Sequence, residues 1–377
     1  METMIGQYGS WAASLVGDSL PELSFRRGEF ADVNAWRARA RARVLERMAC
    51  PAGVGAHDVR VLESADRDGL HVERLQWGLG YGPPTQAILV KPARAAGPLP
   101  GVLALHCHGG RKFWGRQKIA DFGPPHPLIV EHRRQYYGGR AWANELARRG
   151  YVVLAPDAFA FASRMVLPSQ CSPPVRRDVA DPREDDAASI DAYHAWASDH
   201  ENIMAKSLFS AGTTWPGVFF SEDRAALDVL ASRDDVDAAH LGCGGLSGGG
   251  LRTCMLAGLD ERIKAAVAVG FMTTWRDLLL AKVWTHTWMC YIPLLPRELD
   301  FPEILALRTP APTMVLSTIQ DQLFSIDEVR RSERQMREVF TKAGAADALD
   351  FRYFEGPHKF DLPMQEAAFA FFGRQLG

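Results

Sequence analysis

Residues 242–254 read GCGGLSGGGLRTC. Each glycine costs backbone entropy on folding, so a run this dense needs a physical reason. Two reasons compete: the run cradles a phosphate, or it clears space around Ser247. A dinucleotide fingerprint places glycines at i, i+2 and i+5. Counting from Gly242 the third position is Ser247, and from Gly248 it is Thr253. A phosphate loop ends in Gly-Lys-Ser/Thr, and the run contains no lysine. The segment Gly245-Leu246-Ser247-Gly248-Gly249 instead satisfies G-x-S-x-G. An apolar strand-like run, AHLGCGG (239–245), precedes the serine and a helix-like run follows it, which is the context that pattern requires. A sharp strand-to-helix turn strains the serine backbone. Gly245 and Gly249 remove side chains that would collide there, and the Gly248 N–H faces any negative charge developing at the helix N-terminus.

A serine hydroxyl is a weak nucleophile at neutral pH and needs a base, itself oriented by an acid. In this motif's context the chain order is serine, acid, histidine. Only His286 and His358 lie downstream of Ser247. His286 sits in a tryptophan-rich stretch, whereas His358 lies in FEGPHKF, just after the last strand-like run. His358 is therefore the expected base. Asp321 follows the strand-like PTMVLS in TIQDQLF and is the expected acid. Asp327 reads as a helix cap, and Asp350 and Glu355 flank the last strand less favourably. A second oxyanion donor beside Gly248 is expected from ALHCHGGRK (104–112), where the candidates are the backbone N–H groups of His108 and Gly109, with Gly110 behind them. His106 and His108 are two apart but lack a third ligand of defined spacing, so no metal site is expected.

HDVRVLES (57–64), LHVERLQWG (70–78) and TQAILVKP (85–92) read as an antiparallel start to a sheet. Then GVLALHC (101–107), YVVLAP (151–156), AHLGCGG, KAAVAVG (264–270), PTMVLS (312–317) and LDFRYFEG (349–356) alternate with helix-like segments. That alternation means βα units and a parallel sheet, with ligands at the strand C-terminal edge. Segments near 111–140, 161–215 and 271–308 leave that edge as long insertions, expected to build lids and pockets. Trp275, Trp284 and Trp288 are read as pocket lining. Residues 1–56 form an expected N-terminal helical extension, and 57–377 the catalytic domain.

The 377-residue chain is 47% apolar and 23% charged, with net charge −2, so bulk electrostatics give no reason to expect a nucleic-acid partner. The RARAR run at Arg37–Arg43 is read as a solvated helix face and DPREDD (181–186) as a solvated loop. Six cysteines lack any C-x-x-C pair and read as free thiols. No signal peptide or membrane span is expected, which points to a cytoplasmic protein without a membrane partner. No cofactor is implied, and oligomeric state is not legible.

Taken in order, LHCHGG, APDAFAFASR, GCGGLSGGG, PTMVLSTIQDQLF and EGPHKF resemble the α/β-hydrolases, most closely their acetyl-xylan-esterase-like and dienelactone-hydrolase-like branch. The resemblance covers roughly residues 80–372. It implies a mostly parallel sheet of about eight strands flanked by helices, with lid-like insertions. It also implies hydrolysis of a small-molecule ester through an acyl-enzyme: Ser247 as nucleophile, His358 as base, Asp321 as orienting acid. Asp157 and Arg164 match structural positions. Dienelactone hydrolases carry cysteine where this chain has Ser247, which argues against that reaction. A lactone, a peptide or a carbon–carbon bond remains an alternative target of the same triad. A non-catalytic binding protein on the same scaffold is the alternative of another class.

Overall fold

Nine strands pair into one sheet in the computed structural model, which describes residues 4–17 and 19–377. They are β1 His57–Arg67, β2 Leu70–Gly78, β3 Thr85–Pro92, β4 Leu99–Leu105 and β5 Val152–Pro156, followed by β6 Val236–Leu246, β7 Ile263–Val269, β8 Thr313–Thr318 and β9 Leu349–Phe354. Their spatial order is β1-β2-β3-β5-β4-β6-β7-β8-β9. β1, β2, β3 and β5 pair antiparallel in turn. From β5 through β4 to β9 every pairing is parallel. The sheet exceeds the expected eight strands by one. The edge strand β1 is exposed along almost its whole length, so it adds pairing without adding core. Every residue of β5 and β8 is buried, as continuous apolar runs with helices on both faces require.

The N-terminal extension shares the core of the sheet. Helix Val33–Met48 places Trp36, Ala40, Val44 and Met48, each four residues apart, on one buried stripe. That stripe joins the cluster containing Leu103, Leu154 and Leu256. The arginine run on this helix is not a solvated face. Arg37 donates to the carbonyls of Leu307 and Thr309, Arg41 to that of Gly258, and Arg43 and Arg47 to Glu298. These partners lie more than 200 residues away, beyond the reach of local pattern. All six cysteines are free, and four of them are buried.

The parallel order brings the C-terminal ends of β4, β6, β7, β8 and β9 to one edge. The expected insertions rise from that edge as short helices and loops, plus the 24-residue helix Ala187–Ser210. Among the described residues, no helix is long and apolar enough to cross a membrane.

Candidate active site

The turn after β6 is as tight as its glycines suggest. Ser247 has φ 60° and ψ −118°, a region that costs a side-chain-bearing residue about 1–3 kcal/mol. Its N–H donates to the Val269 carbonyl at 2.8 Å, tying the turn to β7. A Cβ on Gly245 or Gly249 would lie 2.2 or 2.1 Å from the Leu105 carbonyl oxygen. Those two glycines thus let the turn press against β4. A Cβ on Gly250 would meet the Val269 oxygen at 2.6 Å, and one on Gly244 the Val267 oxygen at 3.1 Å. The motif does not require these two, and close packing on β7 accounts for them.

His358 and Asp321 arrive from neighbouring strand ends. His358 Nδ1 and Asp321 Oδ2 are 2.6 Å apart. Asp321 Oδ1 accepts the Leu323 N–H at 2.9 Å, so the carboxylate is fixed on both oxygens. The Gln320 N–H donates to the Gly356 carbonyl at 3.2 Å, and the Gln320 side chain accepts from the Gly356 N–H, clamping one loop to the other. With Nδ1 bound to a carboxylate, His358 carries its proton there and leaves Nε2 as an acceptor. That nitrogen is buried and has no hydrogen-bond partner among the described residues. Asp327 is not a cap: Ser325 takes that position and Asp327 lies in the first turn.

Ser247, Gly248, His358, His108 and Gly109 line one cavity of about 380 Å³. The Gly248 and His108 backbones approach closely, since a Cβ on Gly248 would lie 3.1 Å from the His108 nitrogen. Gly109 and Gly110, just past the end of β4, have φ +55° and +65° and make a tight turn there. His106 does not face a metal. Its Nε2 accepts the Ala158 N–H at 3.1 Å and its Nδ1 lies 2.9 Å from the Cys107 carbonyl. Burial pushes its pKa well down, so it is neutral.

All three insertions reach the cavity: Tyr136 from the first, Ser198 and Glu201 from the second, Trp284, His286, Met289 and Cys290 among others from the third. The three tryptophans separate. Trp284 is 76% exposed and lines the mouth. Trp288 is exposed beside Tyr291, outside the lining residues. Trp275 is buried in the core against Phe301, with ring centroids 3.8 Å apart. Its Nε1–H donates to the Leu299 carbonyl, a packing role that composition alone does not separate from a pocket role.

Glu201, which no sequence motif marks, also belongs to the site. Its Oε1 lies 2.6 Å from His108 Nε2 and 2.7 Å from Lys112 Nζ, and its Oε2 accepts from Thr287 Oγ1 at 2.6 Å. Burial opposes ionisation, but the bonds from His108 and Lys112 overcome it and hold the carboxyl far below its usual range. His108 Nδ1 accepts the Gly110 N–H at 3.0 Å, so the ring bridges Glu201 to the glycine turn. Glu201 comes from the middle of a long insertion helix, with no strand end to mark it. His286 also lines the cavity, but its Nδ1 meets the Lys282 carbonyl at 3.0 Å rather than a carboxylate.

No family model matches the sequence. Bacillus subtilis YtaP, provisionally designated a hydrolase, is 26% identical over 290 residues, covering 77% of this chain and 83% of YtaP. A Bacteroides fragilis structure, provisionally designated an acetyl xylan esterase, superposes with TM-score 0.70 at 16% identity, covering 93% of this chain and 83% of that one. The glucuronoyl esterase of Solibacter usitatus superposes with TM-score 0.62 at 16% identity, covering 95% and 98% of the two chains. The sheet order, the turn after β6 and these superpositions lead to one conclusion: the chain has the α/β-hydrolase fold.

Proposed function

We propose that this chain is a serine hydrolase of carboxylic esters acting through an acyl-enzyme. The observation that carries the reading is His358. One ring nitrogen is held by Asp321 at 2.6 Å, and the other is buried and unpartnered in the cavity that Ser247 lines. The similar structures named above include esterases, which supports the choice of bond.

In this reading Ser247 Oγ attacks the ester carbonyl carbon while its proton passes to His358 Nε2. The carbonyl π-electrons move onto oxygen, and the amides of Gly248, His108 and Gly109 receive that charge. Asp321 holds the tautomer and stabilises the imidazolium. Collapse of the tetrahedral species breaks the bond to the alcohol, which leaves with the His358 proton. Water then attacks the acyl-enzyme, giving its proton to His358. The acid is released and Ser247 Oγ is reprotonated.

Ser247→Ala tests this directly. Its turnover of a short-chain aryl ester is expected to fall about 10³-fold or more. A fluorophosphonate probe is expected to label the wild type and spare the variant. Unchanged turnover by Ser247→Ala would overturn the reading.

A further inference from the structure

Lys118 is fully buried, on the short helical turn Arg116–Lys118 within the first insertion. A buried ammonium ordinarily pairs with a carboxylate. The Lys118 Nζ instead donates to two backbone carbonyls, Cys107 at 3.0 Å and His108 at 2.8 Å. The Phe161 ring lies beside it, with the centroid at 4.8 Å. The Lys118 backbone is fixed in turn, because its N–H bonds the Gly115 carbonyl and its own carbonyl accepts from Arg133 Nε.

The identity of those two carbonyls matters. A peptide unit joins the carbonyl of one residue to the N–H of the next. The Cys107 carbonyl belongs to the unit whose N–H is that of His108. The His108 carbonyl belongs to the unit whose N–H is that of Gly109. The residues that carry these two amides, His108 and Gly109, line the cavity together with Gly248. A cation on the carbonyl oxygen draws electron density through the unit and makes its N–H a stronger donor. The same charge, buried where the dielectric is low, adds a favourable potential for an oxyanion.

We propose that Lys118 is a positioning and polarising residue for the oxyanion hole, acting from behind through the peptide units 107–108 and 108–109. This rests on the serine-hydrolase reading and extends it to a residue that never touches substrate. The ammonium strengthens donors whose partner becomes an anion only in the transition state. Its loss therefore lowers kcat and leaves KM nearly unchanged.

Lys118→Met removes the charge and keeps the length. With a short-chain aryl ester, kcat is expected to fall about 10- to 100-fold, below the loss for deleting a direct oxyanion donor, with KM within about 3-fold of wild type. Lys118→Arg keeps a cation and is expected to retain most of kcat. A pH profile separates this role from simple packing. Burial lowers the Lys118 ammonium to about 8, so wild-type kcat declines above that pH, whereas an arginine does not titrate there. The groups facing Lys118 include Cys107, whose thiol burial raises, His106, His132 and His194, which burial keeps neutral, His108, which burial lowers, Asp157, Arg111 and Lys112. All of them remain in Lys118→Arg, so an alkaline decline that persists in that variant overturns the proposal. Wild-type kcat in Lys118→Met overturns it too, as does a loss confined to KM. If Lys118→Met fails to fold, the Lys118→Arg profile decides. If that variant also fails, a flat wild-type kcat from pH 7 to about 9.5 overturns it. Failure of the hydrolase reading is distinguishable, because there Ser247→Ala keeps its turnover whatever happens at Lys118.

Discussion

His358 Nδ1 lies 2.6 Å from Asp321 Oδ2, and both side chains are nearly sealed from solvent. A bond that short between buried groups fixes which ring nitrogen carries the proton. Asp321→Asn can offer its amide nitrogen to Nδ1 and so stabilises the opposite tautomer. Expected kcat on an aryl ester falls about 10³- to 10⁴-fold, with the melting temperature little changed. Near-wild-type kcat in a folded Asp321→Asn would remove Asp321 from the proposed role.

Gly270 tests how closely His358 is positioned. It follows β7 with φ +56°, and a Cβ there would lie 2.9 Å from His358 Cε1 and 2.9 Å from Leu246 Cδ1. Alanine therefore meets backbone strain and a displaced ring together. Gly270→Ala is expected to cost about 1–3 kcal/mol of stability. It is also expected to slow fluorophosphonate labelling of Ser247 at least 10-fold. Labelling at the wild-type rate would show that the ring tolerates the shift.

The turn after β6 was legible because every requirement on it is local. Glycines flank one serine, a strand precedes it and a helix follows. The meeting of Asp321 and His358 is foreseeable because strand order places both at the same sheet edge. Glu201 and Lys118 were not legible, because each lies inside an insertion and meets its partners by tertiary approach. Lys118 looks like any charge in a polar loop until its two carbonyl acceptors are seen. Trp275 failed for the complementary reason. Aromatic residues fill cores and pockets alike, and only its contact with Phe301 separates the two.

Glu201 links the second insertion to the glycine turn through His108, and it neutralises the buried Lys112. Glu201→Gln leaves that ammonium without its counter-charge. A loss of about 3–5 kcal/mol is expected at pH 7 from denaturant unfolding. The carboxyl is depressed in the folded state, so its contribution is present above the unfolded value near 4.3 and fades as pH falls through the acid range. The wild-type advantage over Glu201→Gln is therefore expected to shrink steadily below about pH 4. An advantage independent of pH would mean that shape, not charge, does the holding.

Glu303 makes the opposite prediction. It is fully buried, accepts from Ser24 Oγ at 2.7 Å and from the Phe25 N–H at 3.0 Å, and faces Arg26 at 3.5 Å. It thereby fastens the N-terminal segment to the main body. Burial raises its carboxyl to about 7, with Arg26 and Ser24 only partly offsetting the effect. The unfolded chain releases that proton near 4.3, so between the two values the folded state binds more protons. Its contribution is therefore complete below about pH 4 and is lost as pH rises through 7. Glu303→Gln keeps an oxygen for Ser24 and Phe25 but cannot ionise. Urea unfolding at pH 5 and pH 8.5 is expected to show the variant gaining on the wild type by roughly 2–4 kcal/mol across that interval. Parallel pH profiles would mean that Arg26 compensates the charge fully, so that Glu303 is ionised at both pH values.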